Sequence, residues 1–130
     1  MPSRCPRTVA EPAKGGAIGL NALPRTVKAE DPGIEDMLRH LDHLLAVMGP
    51  EHVGLGLDYV EGFKDAGHIL PQSIRNRTLR PDIFGSVNDF LEQSYPRGME
   101  DIRKLPGFTA AMAARGMDAQ VMKWVLGESW

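Results

Sequence analysis

Cysteine and long apolar runs are what this sequence has least of. Its single cysteine, Cys5, has no partner in the chain, which excludes an intrachain disulfide and a zinc site built on cysteines. No uninterrupted apolar run exceeds five residues, as in Leu44–Met48. A helix that crosses a bilayer needs about 20 such residues, so the sequence predicts no transmembrane helix.

An excess of charge of one sign is missing as well. The net charge is -2 and the pI is near 6.1, so the general basic footprint of a nucleic-acid-binding domain is absent. The N-terminus has no apolar signal core. We therefore expect a cytoplasmic protein without a nucleic-acid or membrane partner. Apolar residues make up 42% of the 130, which is enough for a folded core.

The clearest pattern is a strand, a helix and a second strand. A short apolar run at 17–21 predicts a buried strand, and residues 32–48 carry a single apolar stripe of helical period. Asp31 suits the N-cap of this helix and Pro32 its first position. Residues 53–59 predict a second buried strand. We interpret the three as a βαβ unit with parallel neighbouring strands.

The rest of the chain carries weaker signals. Residues 1–14 predict an irregular N-terminal segment, and 15–130 predict one domain. Within that domain we expect a long polar loop, a short helix, a turn and two C-terminal helices, the second with Asp118 as its N-cap. These elements lie at 60–85, 86–93, 95–98, 108–114 and 119–126.

Asp58 is the most informative candidate for chemistry. It ends a predicted parallel strand, and α/β folds place their active sites at the carboxyl ends of such strands. A carboxylate there can orient water, shuttle a proton or bind a metal. A helix cap or a loop salt bridge remains the alternative interpretation.

Other residue groups favour structural interpretations. His40 and His43 lie one helical turn apart but point away from the apolar stripe, and two ligands do not complete a zinc site. His52 precedes the second strand and so lies at the end that usually serves stability, whereas His68 lies in the long loop on the functional side and is a weak candidate. Glycines at 15–19 and 54–56 favour close strand packing, because they do not form a dinucleotide fingerprint. Arginines at 75, 77 and 80 favour a solvated loop over an anion site, and the methionines favour the core.

Several ordered motifs resemble the membrane dipeptidase (renal dipeptidase) family. They are the segments at 40–44 and 49–59, the Gly-Gly strand at 15–21, and the closing segments at 98–106, 113–116 and 125–130. The last of these has Ser129 where the family motif has Asn. The resemblance covers about residues 15–130.

The resemblance implies an α/β fold, namely the C-terminal part of a TIM-type (β/α)8 barrel related to the amidohydrolases. It implies a centre of two zinc ions that activates a bridging water, and dipeptides as substrates. Asp58 matches the family's catalytic aspartate on the last strand of the barrel, which contacts that water. Arg7 is the nearest match to the family's substrate-gripping arginine.

The same resemblance places every family zinc ligand upstream of the matched part, so no metal ligand is assigned here. A complete barrel takes about 250 residues. We therefore expect the C-terminal part of a metallodipeptidase, one that supplies Asp58 without the zinc ligands and is inactive alone. The partners expected, besides the dipeptide substrate, are a second copy in a homodimer or an upstream partner segment. The alternative is a catalytically inactive remnant or an interaction module that pairs through exposed strands.

Overall fold

The computed structural model describes residues 15–59, 70–88 and 95–129. Residues 15–59 and 95–129 belong to one compact unit, and 70–88 belong to a second. The predicted irregular segment at 1–14 lies outside the described residues, so the domain boundaries stay a prediction. None of the described helices is long and apolar enough to cross a bilayer.

The larger unit is built on the predicted βαβ arrangement. Strand β1 (Ile18–Leu20) and strand β2 (Val53–Leu55) pair in parallel, with Ile18 opposite Val53 and Leu20 opposite Leu55. Between them lie helix α1 (Pro24–Val27), helix α2 (Ile34–Met48) and a 3-10 turn (Pro50–His52). The parallel pairing is confirmed. The second strand is shorter than predicted, because only 53–55 pair in a ladder and 56–59 continue as irregular chain.

Glycine explains how closely β1 and β2 approach. A Cβ atom added to Gly56 would lie 3.2 Å from the Cα of Gly19, inside ordinary van der Waals distance. The expectation that these glycines serve close packing is therefore confirmed at this pair.

Helix α2 begins later than predicted, and Asp31 is not its N-cap. Asp31 and Pro32 stand outside the helix, and Gly33 is the N-cap residue. The reason is tertiary: the Arg97 N–H donates to the Pro32 carbonyl at 2.9 Å, and the Ile34 N–H donates to the Arg97 carbonyl at 3.0 Å. This pairing holds Gly33 extended and satisfies the Ile34 N–H, which a helix N-terminus leaves free.

Asp36 completes the same helix start. Its carboxylate accepts the Gly33 N–H at 2.9 Å and lies within 3.8 Å of Lys28 Nζ and 3.3 Å of Arg39. The Gly33 N–H lowers the pKa of Asp36 below its ordinary value, and the two cations add to the effect. Asp36 is thus a buried carboxylate held in its ionised form.

The core lies between the two strands, α2 and the C-terminal segment. The apolar stripe of α2 is confirmed, since Met37, Leu38 and Leu41 are fully buried. The other buried apolar residues are Leu20, Ala22, Val27, Met48, Val53, Leu57, Met99, Phe108, Met112 and Val125. Met37, Met48 and Met112 are core residues as predicted, and Met117 and Met122 pack against that core.

Two C-terminal helices and a π-helical turn close the larger unit. Helix α5 is Leu105–Ala114, helix α6 is Ala119–Lys123, and the π-helical turn is Trp124–Glu128. The Asp118 carboxylate accepts the Gln120 N–H at 2.8 Å, so its predicted N-cap role is confirmed. The turn packs against β2, and the Ser129 hydroxyl donates to the Pro50 carbonyl at 3.2 Å.

The prediction of a polar loop at 60–85 is wrong for the part that the structure describes, which is mostly helical. Helix α3 (Leu70–Leu79) and helix α4 (Pro81–Phe84) occupy most of its described part. The sequence does not predict α3 because this helix is mostly polar and its few apolar residues form only a weak stripe. Arg80 pairs with Asp82 through two hydrogen bonds of 2.9 and 2.6 Å. Of the helix predicted at 86–93, Val87 and Asn88 are helical, and 89–93 lie outside the described residues.

Two glycine-to-alanine substitutions should have opposite effects on stability, one because of close strand packing and one because of backbone freedom. Gly56→Ala should lower the free energy of unfolding by about 1–2 kcal/mol, because its methyl group meets the Gly19 backbone. Gly107→Ala is the matched control in α5, where nothing lies within 4 Å of an added Cβ. It should raise stability by about 0.5–1 kcal/mol. Urea unfolding measures both, and equal effects of the two substitutions would contradict the packing argument.

The Asp36 carboxylate should contribute to acid sensitivity. Its native pKa lies below the unfolded value of about 3.9, so its stabilising effect is complete above that value. The effect is lost as the pH falls through the native pKa. Asp36→Asn removes the ionisation, so the stability difference between wild type and variant should shrink as the pH falls from about 6 to about 3. Urea unfolding across this range measures it, and a difference independent of pH would contradict it.

Candidate active site

The carboxyl ends of β1 and β2 lie side by side and continue to bond beyond the strands. The Gly56 N–H donates to the Leu20 carbonyl at 3.0 Å, and the Ala22 N–H donates to the Leu57 carbonyl at 3.2 Å. These two bonds bring Asp58 to the edge of the sheet where α/β folds place their chemistry.

Asp58 is exposed and has an unusual backbone conformation. Its φ is 57°, in the left-handed region, which costs an L-residue about 1 kcal/mol although aspartate tolerates it better than most. Its carbonyl accepts a hydrogen bond from the Tyr95 hydroxyl at 3.2 Å. Backbone strain of this kind recurs at functional sites, although Asp31 also has a positive φ, of 45°.

Two tyrosines secure the chain around Asp58. The Tyr59 hydroxyl donates to the Met99 carbonyl at 2.7 Å, which ties the residue after Asp58 to the segment at 95–99. The rings of Tyr59 and Tyr95 meet edge to face, with centroids 4.7 Å apart and planes at 84°. Burial raises the pKa of Tyr59 to about 12, and nearby negative charge adds to the effect. The Tyr59 phenol therefore stays neutral and remains a donor at ordinary pH.

Asn21 ends β1 at the same edge but has a structural role. Its side-chain oxygen accepts the Leu23 N–H at 2.5 Å, and the Thr26 hydroxyl lies 3.4 Å away. This is an Asx turn that begins α1. The side-chain oxygen of Asn21 therefore bonds within its own loop.

A surface groove of about 510 Å³ lies elsewhere in the larger unit, between α2 and the turn after α5. Its lining residues are Asp42, Leu45, Arg115, Gly116 and Met117. The Arg115 guanidinium donates to Glu35 at 2.8 Å and also to Asp42. The charges in this groove pair with each other and join α5 to α2, and Asp58 does not line it.

Comparison with known proteins decides the family. A sequence profile of the membrane dipeptidase family, peptidase family M19, matches residues 10–77, which include β1, α2, β2 and Asp58. The chain belongs to the membrane dipeptidase family.

Solved structures agree with this membership. A crystal structure of a dipeptidase AC, a metallopeptidase of family M19, is 26% identical with a TM-score of 0.65, over 95% of this chain and 29% of its own. A Rhodobacter sphaeroides metallopeptidase, liganded with a phosphinate mimic of the dipeptide L-Ala-D-Ala, is 27% identical with a TM-score of 0.65. The alignment covers 95% of this chain and 28% of the Rhodobacter protein.

A third structure shares the fold. An amidohydrolase from Pseudomonas aeruginosa is 21% identical with a TM-score of 0.73, over 95% of this chain and 37% of its own. These neighbours are TIM-barrel-type amidohydrolases, and the two-stranded sheet of this chain is an incomplete one. The predicted fold class is therefore confirmed. The chain spans less than two fifths of the length of these three proteins.

Family M19 consists of metallopeptidases, and a metal site in a protein needs several histidine, cysteine or carboxylate ligands close together. Within 15–59, 70–88 and 95–129, no group of three or more His, Cys, Asp or Glu side chains could hold an ion. The His40 Nε2 lies 2.6 Å from the Val27 carbonyl, and the His52 Nδ1 lies 2.8 Å from the Gly16 carbonyl. These rings bond to the backbone, and the described residues do not fit a zinc site.

Four other residues that the sequence singled out have no role at Asp58 that the structure shows. His43 is exposed on α2, and the Arg77 guanidinium donates to the Ser73 carbonyl of its own helix at 3.3 Å. Arg7 and His68 lie outside the described residues. In the larger unit, His40 and His52 bond to backbone carbonyls and not to Asp58.

Tyr59 and Tyr95 are the residues that sequence reasoning missed. The chain has only two tyrosines, and one of them directly follows the predicted catalytic residue. That adjacency was the available signal for Tyr59. The role of Tyr95 depends on a contact between residues 37 positions apart, which no local pattern reveals.

Titration of Tyr59 tests the burial of this site. The native pKa of about 12 exceeds the ordinary 10.0, so the neutral phenol stabilises the fold below pH 10. This contribution is lost as the pH rises from 10 through 12. Tyr95→Phe leaves Tyr59 as the only phenol, and because burial is the main cause of the raised pKa, its tyrosinate absorbance should still appear well above pH 10 in the folded chain. The urea-unfolded variant, as control, should titrate near 10, and coincident folded and unfolded curves would contradict the prediction.

Proposed function

We propose that this chain supplies the Asp58 portion of a zinc-dependent dipeptidase site. The observation that carries the proposal is the position of Asp58, at the carboxyl end of β2 beside β1 and within the segment that matches family M19. An exposed carboxylate in this position suits proton transfer to and from a bound substrate.

The proposed reaction is hydrolysis of a dipeptide. Asp58 accepts a proton from the water whose oxygen attacks the scissile carbonyl carbon. The same carboxyl group then gives this proton to the departing amine nitrogen as the C–N bond breaks. Such general acid–base catalysis contributes about 10²–10⁴-fold to a rate. Arg7 stays the candidate for gripping the substrate.

The partner of this chain is proposed from its open sheet. Within the described residues the sheet has two strands, β1 and β2, and each has an outer edge without a neighbouring strand. A TIM-type barrel has eight strands. We infer that a polypeptide with the other six strands completes the sheet and brings the zinc ligands, which the described residues do not supply.

A chimeric protein tests this function. The chain would replace the matching 28% of the Rhodobacter sphaeroides metallopeptidase, and L-Ala-D-Ala would be the substrate. We expect dipeptide hydrolysis and bound zinc in the chimera. Asp58→Asn should lower kcat about 100-fold or more, with the zinc content unchanged.

The matched control is Asp118→Asn, which exchanges one good N-cap residue for another far from the sheet edge. It should leave kcat within about twofold, because N-cap Asp and Asn are nearly equivalent. Unchanged turnover in Asp58→Asn would remove Asp58 from the mechanism. A folded, zinc-loaded chimera without hydrolysis would contradict the dipeptidase proposal.

The second candidate is a non-catalytic interaction module. The open edges of β1 and β2 favour it, since unpaired strand edges are templates for pairing with another chain. The oligomeric mass of the purified chain, measured with its zinc content, distinguishes the two candidates. A zinc-free oligomer whose mass falls when a charged residue replaces Ile18 would support the module, and a zinc-free monomer would count against it.

A further inference from the structure

Two side-chain hydroxyl groups hold the chain on either side of the peptide that follows Asp58. The Tyr95 hydroxyl donates to the carbonyl of Asp58 itself, at 3.2 Å. The Tyr59 hydroxyl, one residue on, donates to the Met99 carbonyl at 2.7 Å. Both bonds join the loop after β2 to the segment at 95–99, and together they determine the orientation of the Asp58–Tyr59 peptide.

We propose that Tyr95 and Tyr59 are positioning residues that hold Asp58 in its left-handed backbone conformation and so aim its carboxylate. The inference rests on the proposed function, because it gives this orientation a purpose in peptide hydrolysis. It adds two residues that act through Asp58 and do not themselves touch the substrate.

The backbone of Asp58 needs such support. At a φ of 57° an L-residue is off its preferred conformation, and an exposed loop without restraint relaxes to negative φ. That rotation would carry the Asp58 Cβ, and with it the carboxylate, away from its present direction. A hydrogen bond to the Asp58 carbonyl opposes the rotation directly.

The two rings make the support rigid. Their edge-to-face contact at 4.7 Å fixes the position of each hydroxyl relative to the other. Tyr59 is partly buried and its hydroxyl has a carbonyl partner, so its rotation would leave a buried polar group without a bond. The high pKa of Tyr59 keeps this donor protonated throughout the neutral range.

The first test is NMR spectroscopy of the full 130-residue chain. In the wild type, Asp58 should show the strong contact between its amide and Hα protons that marks a left-handed residue. Tyr95→Phe and Tyr59→Phe remove one hydroxyl each and keep the rings. Each should weaken this contact and shift the Asp58 and Tyr59 amide signals. Ser129→Ala is the matched control, since it removes a hydroxyl-to-carbonyl bond of 3.2 Å at the other end of β2.

The proposal is overturned if Asp58 keeps its left-handed signature in both phenylalanine variants, or if Ser129→Ala changes it as much. The wild-type chain provides a measurement that does not depend on whether the variants fold. Contacts from Tyr95 ring protons to the Asp58 and Tyr59 backbone should be present, and their absence would also overturn the proposal.

The second test is kinetic and uses the Rhodobacter chimera. Tyr95→Phe should lower kcat on the order of tenfold with KM nearly unchanged, because it misaligns a reacting group without removing a binding contact. The double variant with Asp58→Asn should lose no more than Asp58→Asn alone. A further tenfold loss in the double variant would show that Tyr95 acts independently of Asp58 and would overturn its positioning role.

Failure of the two proposals can be told apart. If Asp58→Asn leaves turnover unchanged, the proposed function fails. The NMR experiment still decides whether the two tyrosines hold the backbone of Asp58, because it does not depend on turnover. If Asp58→Asn abolishes turnover and Tyr95→Phe changes neither kcat nor the backbone of Asp58, only the positioning proposal fails.

Discussion

The parallel pairing of β1 with β2 is the constraint on which the larger unit depends. Each strand has only three residues, and a two-stranded sheet of this size is not stable alone. It persists because α2 covers it through Met37, Leu38 and Leu41, and the C-terminal π-helical turn packs against β2. Because parallel strands end at the same edge, the pairing also places Asp58 beside the end of β1.

The segment at 95–99 connects this pairing to the rest of the unit. Its backbone pairs with residues 32–34 and so determines where α2 begins. Its first and last residues, Tyr95 and Met99, provide the donor and the acceptor that restrain Asp58 and Tyr59. Arg97 adds an ion pair to Asp31 at 2.9 Å. Five residues therefore influence both the start of the main helix and the backbone of the candidate catalytic residue.

Much of the larger unit could be predicted because its signals are local. The apolar stripe of α2, the short apolar strands and the cap at Asp118 all depend on neighbours within a few positions. The parallel pairing could be predicted because a strand, a helix and a strand in succession form a βαβ unit. Asp58 could be singled out because the end of such a strand is a general location for chemistry.

The wrong predictions concern elements whose structure depends on distant residues or whose apolar periodicity is weak. Asp31 and Pro32 have the right chemistry for a helix start, but the Arg97 backbone competes for that segment and moves the start to Ile34. Helix α3 was not predicted because it is mostly polar and its apolar periodicity is weak. The Tyr95 contact with Asp58 depends on the folded chain and has no local sequence signal.

The dependence of Asp58 on residues 95–99 also affects when its backbone can reach the native conformation during protein synthesis. A nascent chain that has emerged from the ribosome only as far as residue 90 already contains both strands and α2, yet it lacks the Tyr95 hydroxyl and the Met99 carbonyl. Contacts that join distant positions form late, because the intervening chain must first be available to close the loop. The backbone around Asp58 therefore cannot acquire its native restraints until residues 95–99 have left the ribosome.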